Sequence, residues 1–131
     1  KQLKKIAREL KNYKYAVDRL ASVAITDGDG VIEHVNDKFS THSKYDKDEL
    51  VGSTHQLINS GHHSKDFIKT MWKTIGNGDV WSGDVKNKAK DGSFYWVNMF
   101  NVPLKNEDKN SFRYLAIRFL KSDSSQTWFF F

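Results

Sequence analysis

The sequence predicts an α+β fold, with one five-stranded antiparallel sheet, short helices on one face and an amphipathic N-terminal helix on the other. Three observations carry this. Residues 1–20 and 64–75 show helical spacing of apolar residues. The segments 22–36 and 81–120 alternate with period two and are cut by turn residues. The last two of these strands are apolar on both faces, so both faces of the sheet need cover.

The elements follow in order. Residues 1–20 lack Gly and Pro and place Leu3, Ile6, Leu10, Tyr13, Val17 and Leu20 at alternating spacings of three and four, a heptad seam. That helix packs on its own domain, pairs with a second chain, or does both. "SVAITDGDGVIEHVN" (22–36) reads as a hairpin turning at the Asp-Gly repeat. Asn36 can cap the short helix "DKFSTHS", and "DKDELVG" makes a second helical turn. "THQLINSGHHS" (54–64) reads mostly as loop, and Ser64 can cap a helix with Phe67, Ile68, Met71, Trp72 and Ile75 on its apolar stripe. Strands 81–90, 93–104 and 111–120 follow, the first two joined by the tight turn "KDG".

Composition removes several function classes. A chain of 131 residues suggests one domain. With no cysteine there is no disulfide, thiolate metal site, thiol nucleophile or flavin–thiol photochemistry. The net charge of +5 is spread rather than gathered on one face, which argues against a nucleic-acid partner. No apolar run approaches the roughly 18 residues a membrane span needs, and no signal peptide is visible. Starting at Lys1, the chain reads as a piece of a larger protein. No nucleophile, base and orienting group stand at useful spacing, so no catalytic residue is assigned and the expectation is a non-enzyme. No metal site is expected either: His62 and His63 are adjacent, whereas a helical metal pair needs a spacing of three or four.

The candidate binding residues come from strand alternation. Trp81 and Asn87 share a face and lie about 20 Å apart along their strand at ~3.3 Å per residue. That separation suits an elongated ligand better than a compact one. A buried Asn without partners costs roughly 1–3 kcal/mol, so Asn87 needs a ligand, water or the hairpin backbone. Trp81 and Trp72 read first as core aromatics and second as pocket walls. Arg118 shares a face with Tyr114 and Ala116 and reads as a cleft residue or as a surface strand Arg.

"ITDGDGVIEHVNDKFSTHSKYDKDELVG", "NKAKDGSFYWVN" and "YLAIR" together resemble a PAS domain over about residues 17–120. The resemblance implies a sensory module whose sheet and helices enclose a ligand cleft, joined to an output domain, bacterial and cytoplasmic. It also implies a homodimer through the N-terminal helix. On this reading residues 1–20 are that helix, 21–121 the sensor domain, and 122–131 a polar linker with the aromatic tail "TWFFF". Within the family, "MWKTIGNGDVWSGDVKNKAKDG" resembles the FAD-binding PAS domains of the aerotaxis receptor and the nitrogen-fixation redox sensor. That likeness implies an FAD cofactor, with Asn87 on the flavin ring edge and Trp81 lining the pocket. It puts Asn36, Asn59 and His62, with the rest of the 59–63 loop, near the opening or the FAD tail. Haem-binding PAS domains place a His near this region, so an axial-ligand role for His62 or His63 stays open beside a solvated helix entry. The function implied is redox or oxygen sensing through flavin. The alternative is a cofactor-free PAS module that dimerises and relays a signal or binds a small metabolite.

Overall fold

The computed structural model describes residues 1–121; the aromatic tail lies outside the described residues. Helix α1 (Gln2–Leu20) leads into β1 (Ser22–Thr26) and β2 (Ile32–Val35). Helices α2 (Asp37–Ser43) and α3 (Lys47–Leu50), a 3-10 turn (His55–Ile58) and helix α4 (Lys65–Gly76) follow. The chain closes with β3 (Trp81–Lys88), β4 (Phe94–Lys105) and β5 (Phe112–Leu120). The five strands form one sheet in the order β2-β1-β5-β4-β3, with every pair antiparallel. The first and last strands therefore meet in the middle, and β3 and β2 are the edges.

Local chemistry sets these elements. Asn36 Oδ1 accepts from the Phe39 N–H and starts α2, while Ser64 Oγ accepts from the Phe67 N–H and starts α4. At the β3–β4 turn, Asp91 accepts from the Ser93 N–H and hydroxyl, and Gly92 takes φ +89°, a value glycine adopts without strain. Alternation then fixes the faces. Val97, Met99 and Asn101 of β4 and Tyr114, Ala116 and Arg118 of β5 are buried under the helices. Phe94, Trp96, Phe100 and Phe119 point outward and are exposed. Two apolar clusters result. One joins Ala24, Ile32, Val35, Phe39, Leu50 and Ile58; the other joins Val97, Met99 and Ala116, with Met71, Trp81 and Val85 against it.

Asn36 is a knot in this fold. Its Oδ1 accepts from both Val23 N–H and Phe39 N–H, and its Nδ2 donates to Ala21 O and Asp18 Oδ1. One amide thus ties the end of α1, the start of β1 and the start of α2. All its hydrogen-bonding capacity is used, so Asn36 has none left for a ligand near the opening.

Helix α1 meets the outer face of the sheet through its last turn. It has no buried residue, and its seam residues Leu3 (82 % exposed), Leu10 (61 %) and Tyr13 (71 %) stand free. Only Val17 and Leu20, at its end, join Phe100, Val102, Ile117 and Phe119 in an outer groove. The cause is the anchor: the Asn36 contacts hold only the last turn, and a heptad seam does not specify which surface it meets. Phe94 and Trp96 keep no helical cover. Among the described residues no helix is long and apolar enough to cross a membrane.

Candidate functional site

A cleft of about 290 Å³ opens between the inner face of the sheet and the 3-10 turn with α4. Its walls are mostly apolar: Ile58, Phe67, Ile68, Met71, Trp72, Val85 and Met99. Into it the sheet aims three polar side chains, Asn87 from β3, Asn101 from β4 and Arg118 from β5. Each is nearly sealed from water, at 4 %, 4 % and 3 % exposure.

Their hydrogen bonding is incomplete. Asn87 Nδ2 reaches Ile58 O at 3.5 Å, a long and weak contact, and its Oδ1 has no partner. Asn101 Oδ1 has none either. Arg118 Nη2 bonds His55 Nδ1 at 3.2 Å, but Nε and Nη1 are unpartnered. The guanidinium lies over the Phe39 ring, 5.2 Å from its centroid. Burial lowers its pKa to about 10, which leaves it protonated at neutral pH. Burial, and secondarily the Arg118 charge, push His55 down to about 3, so its imidazole is neutral. Because Arg118 only donates, His55 Nδ1 must accept, and the ring hydrogen sits on Nε2.

The rim is built at the β3 edge. Asn59 bridges to Asn87, and Lys86 N–H donates to His63 Nε2 at 2.9 Å. The loop between the 3-10 turn and α4 thus covers an otherwise open strand edge. Asn59 and His63 line the cleft, whereas His62 is exposed and meets Trp96 edge-on at 5.2 Å. Trp81 is on the inner face but is not a wall. It packs edge-on behind Phe67 at 5.4 Å, over Gly83, where a Cβ would approach the indole to 2.8 Å.

Of the residues picked from sequence, the structure thus gathers Asn87, Arg118 and Asn59 around the cleft and leaves Trp81, His62 and Asn36 outside its walls. Sequence reasoning passed over His55, Asn101 and Phe67 as site residues. For Asn101 the signal was present, since alternation puts it on the face of Met99. His55 sits on a single 3-10 turn, where no periodicity marks a face.

The strand order, the helices over one face and the cleft between them define the architecture. The sequence profile described as "PAS domain" matches residues 20–119. The chain belongs to the PAS family. This PAS domain is 37 % identical over 106 residues to the aerotaxis receptor of Escherichia coli K12, a match covering 81 % of this chain and 21 % of that protein. It is 30 % identical over 100 residues to the nitrogen fixation regulatory protein of Klebsiella pneumoniae, covering 75 % and 20 %. The chain thus spans about a fifth of the length of these relatives. Among solved structures, a Light-Oxygen-Voltage domain studied with a flavin analogue superimposes with a TM-score of 0.73 at 19 % identity, over 96 % of this chain and 91 % of that one. A PAS domain from Colwellia psychrerythraea does so at 0.71 and 22 %, over 86 % and 96 %. Those two likenesses concern the fold.

The His55 environment yields a pH dependence. The unfolded chain takes up a proton at His55 near pH 6.5, while the folded chain resists until about pH 3. Stability contributed by neutral His55 is therefore full above pH 6.5 and is lost as pH falls through this window. Urea unfolding of the wild type between about pH 4 and 7 should show stability falling with acid, and His55→Gln should flatten that slope by up to ~1.4 kcal/mol per pH unit. His42 and His63, also held low by burial, should keep part of the slope in the variant. Equal slopes would contradict the assignment.

Proposed function

We propose that this PAS domain holds a flavin, FAD first, in the cleft and senses redox state or oxygen through it. The observation that carries the reading is the set of buried, unpartnered polar atoms in an apolar cleft: Asn87 Oδ1, Asn101 Oδ1, Arg118 Nε and Arg118 Nη1. Leaving such groups unpaired is costly, and a ligand that offers both donors and acceptors on one edge relieves the cost. A flavin pyrimidine edge has that character. Its imide N–H can give to an Asn oxygen, its carbonyls can take from an amide or a guanidinium, and its ring suits walls such as Phe67 and Met99. When bound, the group supplies reversible electron transfer. The chain's own residues bind the edge, exclude water and carry positive charge beside it.

The names of the relatives support the same class of signal, since aerotaxis and control of nitrogen fixation are responses to the state of the environment. The sequence likeness to FAD-binding PAS domains adds to that support. Contacts from the cleft to α1 support a route by which a signal would leave the domain. Arg118 lies over Phe39, Phe39 is on α2, and the amide that caps α2 also holds Asp18 of α1. A second reading, a small metabolite in a domain without cofactor, draws on the modest cleft volume, at the lower end of the ~300–1,000 Å³ usual for ligand pockets.

The test is retention of FAD. Wild-type protein mixed with FAD and freed of excess by gel filtration should keep the two visible flavin bands. Asn87→Ala should lose them, or bind at least ~10-fold more weakly, for the loss of a buried hydrogen bond worth ~1.5 kcal/mol. A wild type that emerges colourless sinks the flavin reading and leaves the metabolite one.

The partner proposed is a second copy of the chain. Ile6 and Leu10 are half or more exposed on the α1 seam, and Phe100 and Phe119 are exposed beside the groove at its end. Unpaired, such apolar surface favours association. Analytical ultracentrifugation should find a dimer for the wild type and a monomer for Leu10→Lys. A wild-type monomer at tens of micromolar would overturn this.

A further inference from the structure

The buried charge in the cleft lacks a counter-charge. Arg118 is protonated, and none of the ion pairs among the described residues involves it. The groups around it are neutral or apolar. From the 3-10 turn comes the His55 imidazole, and from α2 the Phe39 ring. From β4 comes the Tyr95 phenol, whose pKa burial raises, so it stays protonated. Asn101 and Arg118 are diagonal neighbours on β4 and β5, since Asn101 pairs with Ala116 and Met99 with Arg118. Diagonal neighbours on one face lie about 7–8 Å apart. The one carboxylate among the cleft walls, Asp29, is exposed on the β1–β2 turn, where water screens it.

We propose that Arg118 is the counter-charge for a negatively charged ligand edge, so that the cleft holds the reduced, anionic flavin ring more tightly than the oxidised, neutral one. This rests on the flavin reading and adds to it the preferred charge state. Taking two electrons and one proton from an external reductant turns the neutral ring into one with a single negative charge, and the reductant is oxidised in step. The cleft then exchanges an isolated buried cation for an ion pair. The attraction acts where water is excluded and is correspondingly strong. Arg118 Nε and Nη1 are the donors available to that edge.

The experiment is a redox titration of FAD-loaded protein with dithionite, which is oxidised to sulfite, beside free FAD under the same conditions. The shift of the midpoint from that of free FAD gives the ratio of affinities for the reduced and oxidised forms. The wild type should favour reduced FAD by at least about tenfold. Arg118→Gln keeps an amide donor but removes the charge, and should bring the ratio down by about tenfold or more. A purely structural Arg118 would weaken both forms alike and leave the ratio unchanged. A wild type that favours oxidised FAD, or shows no preference, overturns the proposal without need of the variant. So does an Arg118→Gln protein that binds FAD with the wild-type ratio. Should the wild type bind FAD in neither state, the flavin reading itself falls and this proposal with it.

Discussion

A guanidinium sealed inside a small domain is the constraint around which the rest is arranged. Arg118 stands on β5, the central strand, 3 % exposed, with one hydrogen bond from its side chain and two donor nitrogens idle. Removing a charge from water costs several kcal/mol unless it is paired and hydrogen-bonded. The fold offers only partial relief, through the Phe39 ring and the His55 nitrogen. An apolar residue at this position would complete a core already supplied by Ala24, Ala116 and Met99. On the reading proposed above, the charge serves what the cleft receives rather than what the fold requires.

The same residue lies next to the joint that fixes the N-terminal helix. Phe39 carries Arg118 on its face and belongs to α2, whose first turn is capped by Asn36. Asn36 also holds Asp18 and the Ala21 carbonyl at the end of α1. A cation–π contact, the first turn of α2 and one hydrogen bond separate the cleft from the helix. Because Asn36 uses all four hydrogen bonds, a tilt of α2 must be shared by α1 or break one of them. Helix α1 touches the domain only at this end, so its direction depends on the joint.

Much of the fold was legible in the sequence because its signals are local. Asn36 and Ser64 read as caps from their own neighbourhoods, and the Lys-Asp-Gly turn from its glycine. Period-two alternation put Asn87 on the face of β3 and Arg118 on the face of β5 that the structure buries. What the sequence hid depends on contacts between distant segments. Phe67 lies on the apolar stripe of α4 and Trp81 on the inner face of β3, and only the packing of α4 makes the first a wall and the second its backing. Asn36 reads as a polar residue near an opening until four partners, brought from α1, β1 and α2, are found to saturate it. How little of the α1 seam the sheet covers is a third case, since a heptad seam states that a surface is sticky and not how much of it its own domain will cover.

If a flavin fills the cleft, Arg118 should be unfavourable to the empty domain and favourable to the loaded one. Thermal unfolding of wild type and Arg118→Met, each stripped of small molecules and then each with excess FAD, tests it most directly. Without ligand the Met variant should be the more stable, by ~1–4 kcal/mol, as when a buried ion gives way to an apolar side chain of similar size. With FAD the order should reverse. A wild type more stable than Arg118→Met in the absence of any ligand would contradict the account, for the fold alone would then satisfy the charge.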